Sequence, residues 1–220
     1  MDSPDILTTN VAATTHGRVL SRVVPNAAGV LVGFHGYYEN VEIQIGRLAA
    51  IPGTDDWTLV SVQGLHRFYR ARTNDVVASW MTRQDRELAI ADNIAYVDSA
   101  LATVVGEPSP EPLVCAGFSQ GVAMAFRAAV RGRRRAHGIV AVGGDVPPEL
   151  LADPELRFPR VLVIRGAHDE YFPQQMFDDT VSALRGRGAD VTTMIVEGAH
   201  DWTADVSVAA GAFLRTLTRR

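Results

Sequence analysis

A serine between two glycines is the short motif in this sequence that points most directly to chemistry. The motif is Gly117-Phe118-Ser119-Gln120-Gly121, and it lies between an apolar β-type run and a helical pattern. In a tight strand-to-helix turn a serine hydroxyl projects above the sheet, and glycines two residues to either side prevent side chains from colliding. The motif therefore predicts that Ser119 is a nucleophile.

Two histidines beyond Ser119 follow strand-like runs, and either could activate this hydroxyl. A serine is a poor nucleophile until a base removes its proton. His200 follows the last strand-like run and precedes the last helical pattern, whereas His168 follows the run before it. A loop at the carboxyl end of a late strand can bring an imidazole back over the turn. We predict His200 as the general base; a surface or capping histidine is the alternative.

A carboxylate should hold the imidazole through its second nitrogen. Asp169 follows the strand-like run before the one that carries His200, which is where this acid is expected. Asp145, one strand earlier, is the main rival, and Glu170 is adjacent to the preferred acid. Asp201 fits better as the N-cap of the final helix. Asp169 is therefore the predicted acid, and Asp145 stays open.

Acyl transfer also needs donors for the oxyanion that develops on the carbonyl oxygen. The backbone N–H of Gln120, which follows the nucleophile, is one candidate. The second candidate is the N–H of Tyr37, in the loop HGYYEN after an early strand, where Gly36 allows a close approach. We expect His35 to orient this loop through hydrogen bonds rather than to act in catalysis.

The elements that must hold these residues alternate between apolar β-branched runs and longer helical patterns. Such alternation predicts an α/β fold with a mostly parallel sheet and helices on both faces. The predicted strands are Arg18–Val24, Val30–Phe34, Leu59–Gln63, Leu113–Phe118, Gly138–Val142, Val161–Arg165 and Thr192–Val196. The predicted helices are Asp85–Val105, Gln120–Arg131, Gln174–Leu184 and Trp202–Leu217.

The connection from Gly143 to Arg160 holds only a short helical stretch, Glu149–Ala152. We therefore expect no large lid domain, a fairly open site and a single domain over residues 1–220.

Composition narrows the class of protein. Hydrophobic residues make up 47% and charged residues 21% of the 220 residues, as in soluble globular proteins. A single cysteine, Cys115, excludes an intrachain disulfide. The net charge of −4 argues against nucleic-acid binding, and an arginine cluster suits the negative end of a helix dipole. That cluster comprises Arg131, Arg133, Arg134 and Arg135.

Targeting and cofactor signals are not recognised in the sequence. The N-terminal segment lacks the pattern of a secretion signal, and the apolar stretch Ala27–Phe34 is too short to cross a bilayer. The sequence contains neither a clustered set of metal ligands nor a phosphate loop with lysine. We therefore expect a cytoplasmic protein with no metal and no cofactor.

Four motifs together resemble a known family. HGYYEN, GFSQGVAMA, GAHDEYFP and EGAH, in this order and spacing, are similar to the phospholipase/carboxylesterase family, which includes acyl-protein thioesterases. The resemblance covers the chain from about Gly29 to the C-terminus and implies an α/β-hydrolase fold with about seven strands. It also implies a triad of Ser119, Asp169 and His200, with Tyr37 and Gln120 as oxyanion donors.

The candidate substrate contacts lie in the loops around the predicted site. Tyr38 stands where the family often has a small residue, and we predict substrate contacts for Tyr38, Trp80, Met81 and Phe172. The stretch after the third predicted strand departs from the thioesterase pattern. Its residues either line a substrate groove or only pack and cap, and the two interpretations are equally supported. The residues in question are His66, Phe68, Tyr69, Arg72, Trp80 and Met81.

These residues together predict a cofactor-free carboxylesterase that forms an acyl-enzyme on Ser119. A thioesterase or lysophospholipase with the same triad is the nearest alternative. A catalytically silent α/β-hydrolase domain that binds a small ligand or a protein is an alternative of another class. The expected partner is a small-molecule ester or thioester, with no nucleic acid and no membrane insertion, and a homodimer stays open.

Overall fold

The computed structural model describes residues 6–106 and 111–218. The beginning of the N-terminal segment, which enters the expectation of no secretion signal, lies outside these residues. The described strands are β1 Val19–Arg22, β2 Gly29–Phe34, β3 Trp57–Val62, β4 His66–Tyr69, β5 Val76–Ser79, β6 Leu113–Phe118, β7 Gly138–Val142, β8 Arg160–Gly166 and β9 Val191–Val196. The described helices are α1 Val41–Ala49, α2 Arg86–Val105, α3 Gln120–Arg131, α4 Pro148–Leu151, α5 Gln174–Gly186 and α6 Ala204–Thr218.

Seven of the strands form one sheet in the order β1-β3-β2-β6-β7-β8-β9. Only β1 runs antiparallel to its neighbour, and the other adjacent pairs are parallel. Every residue of β2, β3, β6 and β7 is buried, as expected of strands that are covered on both faces. The predicted mostly parallel sheet of about seven strands is confirmed.

Helices cover both faces of this sheet, as predicted. Alternate strand residues point to opposite faces, so Val30 and Val32 belong to one core and Leu31 to the other. The first core is completed by side chains from α2, α3 and α5, and the second by side chains from α1 and α6. The carboxyl ends of the parallel strands all lie at one edge, where the loops after β2, β6, β8 and β9 meet.

Two elements are not among the sequence predictions. One is the hairpin of β4 and β5, which pair antiparallel beside the main sheet. The other is α1, which is capped by the Asn40 side chain accepting a hydrogen bond from the Ile43 N–H at 3.1 Å. An asparagine cap followed by buried Val41, Gln44 and Leu48 at helical spacing is the signal that predicts such a helix.

The predicted N-cap role of Asp201 is wrong. Helix α6 begins at Ala204, and the Thr203 hydroxyl accepts the hydrogen bond from the Val206 N–H at 3.4 Å. The Asp201 carboxylate instead accepts from the N–H of Trp202, at 2.7 Å. The cap is therefore three residues after His200 rather than one.

Two further features concern access to the carboxyl edge and the character of the longest helix. The connection between β7 and β8 is described throughout and holds only the four-residue α4, so no large lid is present there.

Helix α2 is the one described helix that is long and apolar enough, by length and composition, to cross a membrane. Its side chains Ile90, Val97 and Leu101 are buried, and it packs against α3 and β3.

The seating of α6, which follows His200, depends on close packing at Gly211. A Cβ added to Gly211 would lie 2.6 Å from the carbonyl oxygen of Pro52, after α1. Gly211→Ala should therefore lower the free energy of unfolding by about 1–3 kcal/mol. The matched control is Gly46→Ala in α1, where nothing lies within 4 Å of the added methyl group. This control should gain about 0.4–1 kcal/mol. Urea denaturation measures the free energy of unfolding of both variants. A free energy of unfolding in Gly211→Ala equal to that of wild type would contradict the close packing.

Candidate active site

Ser119 lies at the sharp turn between β6 and α3. Its backbone has φ 52° and ψ −121°, a combination that costs energy in a residue with a side chain. The Ser119 N–H donates to the carbonyl of Val142 at 2.9 Å. A Cβ on Gly117 would collide with the backbone of Gly121, and one on Gly121 would collide with the carbonyl oxygen of Phe34. Both glycines are therefore required by backbone contacts.

His200 and Asp169 form a hydrogen-bonded pair. The Nδ1 atom of His200 lies 2.8 Å from Oδ2 of Asp169, whose side chain is buried. The other carboxylate oxygen, Oδ1, accepts from the backbone N–H groups of Tyr171 at 2.9 Å and Phe172 at 2.8 Å. Because each oxygen has its own donors, the orientation of the carboxylate is fixed. The loop after β8 thus delivers the acid to the loop after β9.

The other acidic candidates lie elsewhere. Asp145 is exposed in the loop after β7, and Glu170 is exposed next to the buried acid. His168, the second histidine candidate, is exposed and pairs with Glu197 at 3.0 Å. The structure therefore brings His200 together with Asp169, and among the described residues Asp145 forms no hydrogen bond with this imidazole.

The imidazole of His200 is held by neighbours on several sides. Its ring centroid is 5.0 Å from that of Phe118 and 5.1 Å from that of Tyr171. Gly143 has φ 64°, and a Cβ there would lie 3.0 Å from Cε1 of His200 and 3.3 Å from Oδ2 of Asp169. The glycine after β7 therefore leaves the space that the histidine and its acid occupy.

His35 has the structural role that the sequence predicts. Its Nε2 atom accepts from the N–H of Gly64 at 3.0 Å, so Nδ1 carries the proton and donates to the carbonyl of Gly36 at 2.7 Å. The indole N–H of Trp80 donates to the carbonyl of His35 at 2.9 Å. Burial lowers the pKa of His35, so the ring is neutral.

The two candidate oxyanion donors come from loops that touch each other. Gly36 packs against Phe118, the residue before Ser119, because a Cβ on Gly36 would lie 3.1 Å from Cδ1 of that ring. Gln120 is the first residue of α3, where backbone N–H groups have no partner within the helix. In the described part of the chain, neither the Tyr37 nor the Gln120 N–H donates to a protein acceptor. Both groups can therefore donate to a bound oxygen.

The side chain of Gln120 ties the nucleophile turn to the end of the hairpin. Its Oε1 accepts from the backbone N–H of Trp80 at 3.0 Å, and its Nε2 donates to the carbonyl of Met81 at 3.2 Å. Trp80 itself stacks on His35 with centroids 5.2 Å apart. Hydrogen bonds thus connect the two donor loops through one segment.

Tyr38 has φ 67°, the left-handed region that favours glycine. Its hydroxyl accepts from the N–H of Ala71 at 3.1 Å, and the guanidinium of Arg70 lies 5.0 Å from its ring centroid. The rings of Tyr37, Tyr38 and Phe68 have centroids 5.9–6.0 Å apart. These contacts hold the unusual backbone and fasten the hairpin of β4 and β5 to the oxyanion loop.

The predicted substrate contacts need correction. The side chains of Trp80 and Phe172 are 0% and 1% exposed, so they pack in the core and offer no surface to a substrate. Met81 is half-buried, with its sulfur 3.7 Å from Nη1 of Arg127. Tyr38 is also half-buried. Of the six residues considered in the stretch after β3, those that are exposed are His66, Tyr69 and Arg72.

These groups are of the kinds that acyl transfer requires. A strained serine, a hydrogen-bonded histidine and carboxylate, and two N–H donors are the components of nucleophilic catalysis at a carbonyl. Among the described residues, no three His, Cys, Asp or Glu side chains group so that they could hold a metal ion.

Comparison with known proteins identifies the family. The sequence profile of the family described as Phospholipase/Carboxylesterase matches residues 75–218, more than half of the chain. The chain belongs to this family. It is therefore a member of a family of hydrolases, with the α/β-hydrolase fold.

Solved structures agree with this membership. The crystal structure of esterase PE8 is 26% identical, with 91% of this chain and 98% of that chain covered and a TM-score of 0.71. Acyl-protein thioesterase 2 from Zea mays is 16% identical, with 93% and 100% covered and a TM-score of 0.71. YahD, solved with malic acid, is also 16% identical, with 92% and 100% covered and the same TM-score. At 16% identity the last two show the fold alone. No curated protein sequence matched the chain.

The neutral state of His35 leads to a prediction about pH. Because burial lowers its pKa below the usual value of about 6.5, the folded protein should keep this ring neutral below that pH, while the unfolded chain takes up a proton. The contribution of His35 to stability should therefore be lost as the pH falls from about 6.5 through its folded-state pKa. An NMR titration of the His35 ring measures its folded-state pKa, and urea denaturation over the same pH range measures the change in stability. Half-protonation at or above pH 6.5 would refute the prediction.

Proposed function

We propose that the protein is a serine carboxylesterase in which Ser119 is the nucleophile, His200 the general base and Asp169 its acid partner. The observation that supports this proposal best is the 2.8 Å hydrogen bond between His200 and Asp169, in the loops beside the strained turn at Ser119. Membership in the Phospholipase/Carboxylesterase family supports it further.

The first step is attack by the Ser119 oxygen on the ester carbonyl carbon. With Nδ1–H donated to Asp169, Nε2 of His200 is the nitrogen that accepts the serine proton. The new bond between the serine oxygen and the carbon gives a tetrahedral intermediate with a negative oxygen. The imidazolium then returns its proton to the alcohol as the carbon–oxygen bond breaks, which leaves an acyl-enzyme. Water, deprotonated by the same imidazole, then attacks the acyl carbon. The imidazolium returns the proton to the Ser119 oxygen as the bond between that oxygen and the acyl carbon breaks, and the acid is released.

The negative oxygen of the intermediate is proposed to accept hydrogen bonds from the backbone N–H groups of Tyr37 and Gln120. Neither group has a protein acceptor among the described residues, and the Gln120 N–H lies at the positive end of the α3 dipole. Loss of one such donor typically lowers kcat by about 10²–10³-fold. The Gln120 donor is fixed by the helix, and the Tyr37 donor depends on how its loop is held.

Short, soluble esters are the proposed substrate class. The only helix in the connection between β7 and β8 is the four-residue α4, so no lid has to open at a lipid surface. At the position of Tyr38 the family often has a small residue. The aromatic ring of Tyr38 lies beside that of Tyr37, and we expect it to narrow the acyl pocket on that side. Esterase PE8, a solved structure of this fold, is by its name an esterase.

The direct test is covalent labelling. A fluorophosphonate probe should label the wild-type protein stoichiometrically, with the adduct on Ser119 by peptide mapping, because only an activated serine attacks the probe at a useful rate. Ser119→Ala is the matched control and should remain unlabelled. Labelling that persists in this variant would disprove the nucleophile, and no labelling of wild type would favour a silent binding domain. Rates on matched p-nitrophenyl esters and thioesters of graded length then separate a carboxylesterase from a thioesterase.

The choice of acid has its own test. Asp169→Asn should retain the fold but lower kcat by about 10⁴-fold, because the amide lets the imidazole adopt the wrong tautomer. Asp145→Asn and Asp201→Asn are controls of the same chemistry and should stay within about tenfold of wild type, which is about 1.4 kcal/mol in the barrier. Steady-state kinetics measure kcat for each variant, and circular dichroism shows whether its fold is retained. A large loss in Asp145→Asn with normal activity in Asp169→Asn would reverse the assignment.

A further inference from the structure

An ion pair lies beneath the loop that carries Tyr37. Arg47 of α1 forms a two-pronged contact with Glu39, with Nη1–Oε2 at 2.6 Å and Nη2–Oε1 at 2.8 Å. The two side chains are only 13% and 17% exposed. Glu39 Oε2 also accepts the backbone N–H of Gly36, at 2.7 Å. The carboxylate therefore joins α1 to the oxyanion loop.

The same guanidinium contacts the two other parts of the site. It lies 4.3 Å from the ring centroid of Phe118, the residue before Ser119, and that ring contacts the imidazole of His200. It also lies 5.9 Å from the ring of Trp202, two residues after His200. One largely buried cation thus touches the oxyanion loop, the nucleophile turn and the histidine loop.

The hydrogen bonds around Gly36 show what this arrangement controls. The His35–Gly36 peptide is held at both ends, because its carbonyl accepts from Trp80 and its N–H donates to Glu39. The next peptide contains the Tyr37 N–H, and its carbonyl accepts from Nδ1 of His35. Since a trans peptide is planar, fixing the Gly36 carbonyl toward His35 directs the Tyr37 N–H the opposite way. Gly36 would otherwise rotate freely.

We propose that Arg47 and Glu39 are positioning residues that set the direction of the Tyr37 N–H relative to Ser119 and His200. The inference rests on the proposed esterase function. A buried ion pair of this kind contributes little net stability, so stability alone is a weak reason for its presence. Lysine cannot replace the arginine here, because it lacks the planar fork that binds both carboxylate oxygens and stacks on an aromatic ring.

Two variants test the proposal by steady-state kinetics on a short p-nitrophenyl ester. Arg47→Lys keeps the charge but loses the fork, and Glu39→Gln keeps an acceptor for Gly36 but loses the ion pair. Both should lower kcat by about 10–100-fold and leave KM within about threefold, because a misdirected donor weakens binding of the transition state only. The matched control is Glu42→Gln, also on α1, which breaks the exposed ion pair between Glu42 and Arg18. Its kcat should stay within about twofold of wild type.

The outcomes separate this inference from the esterase proposal. If wild type hydrolyses no ester and binds no fluorophosphonate, the esterase proposal fails. If wild type is active and both variants keep kcat, or change only KM, the positioning role is overturned. Should Arg47→Lys fail to fold, Glu39→Gln decides the question, because its side chain has the same shape.

An additional measurement does not depend on activity. Amide hydrogen exchange by NMR should show the Gly36 N–H protected in wild type and in Glu42→Gln. The same N–H should exchange about tenfold faster or more in Glu39→Ala, which removes its acceptor. Equal exchange in all three proteins would show that the carboxylate does not hold the loop, and would overturn the inference.

Discussion

The close approach of the α3 N-terminus to the end of β2 is the constraint on which the rest of the site depends. Strands β2 and β6 pair in parallel, with Phe34 opposite Gly117. Both strands therefore end at the same edge, and the helix begins against the carbonyl oxygen of Phe34 with no room for a side chain on Gly121. Because this backbone contact leaves no freedom, the loop after β2 and the turn at Ser119 have one relative position.

Around that contact, three largely buried polar side chains have a partner for each of their ring nitrogens or carboxylate oxygens. An unpaired polar group in the interior costs about 1–3 kcal/mol, so such partners also fix geometry. His35 is neutral and uses both ring nitrogens, Asp169 uses both carboxylate oxygens, and Glu39 is shared between Gly36 and Arg47. The side chains next to the proposed reactive groups are therefore held in one orientation by their hydrogen bonds.

The hairpin of β4 and β5 contacts the oxyanion loop and determines the conformation of Tyr38 there. It pairs with the oxyanion loop through a bridge between Glu39 and Ala78, and it holds Tyr38 in a left-handed conformation. Backbone strain of this kind persists only where the surroundings determine it, and it tends to occur at functional sites. The aromatic cluster of Tyr37, Tyr38 and Phe68 exposes the Tyr37 ring, which is 59% accessible, beside the N–H that is proposed to bind the oxyanion. Substrate preference is therefore expected to depend on this surface.

Much of the fold follows from the sequence itself because it depends on local rules. Apolar runs that alternate with helical patterns identify the seven strands of the main sheet and four of the longer helices, and α3 has the predicted bounds. The turn at Ser119 is recognisable because its motif spans five residues, and Gly117 is required by a contact with Gly121 inside it; Gly121 is required by the distant carbonyl oxygen of Phe34. The positions of His200 and Asp169 after consecutive strands follow from the order of elements. Helix α1 was missed although its cap and spacing signal it.

Tertiary structure alone decided the remaining points, because they depend on contacts between segments far apart in the chain. Residue order favours Asp169 but leaves Asp145 open, since both follow strands of one parallel sheet, and the hydrogen bond to His200 distinguishes them in the structure. Trp80 and Phe172 look like substrate contacts by position, but the structure buries them. Arg47 has no motif, and its importance comes from charge and ring contacts with three separate loops. Packing, which no local pattern encodes, determines which side chains meet.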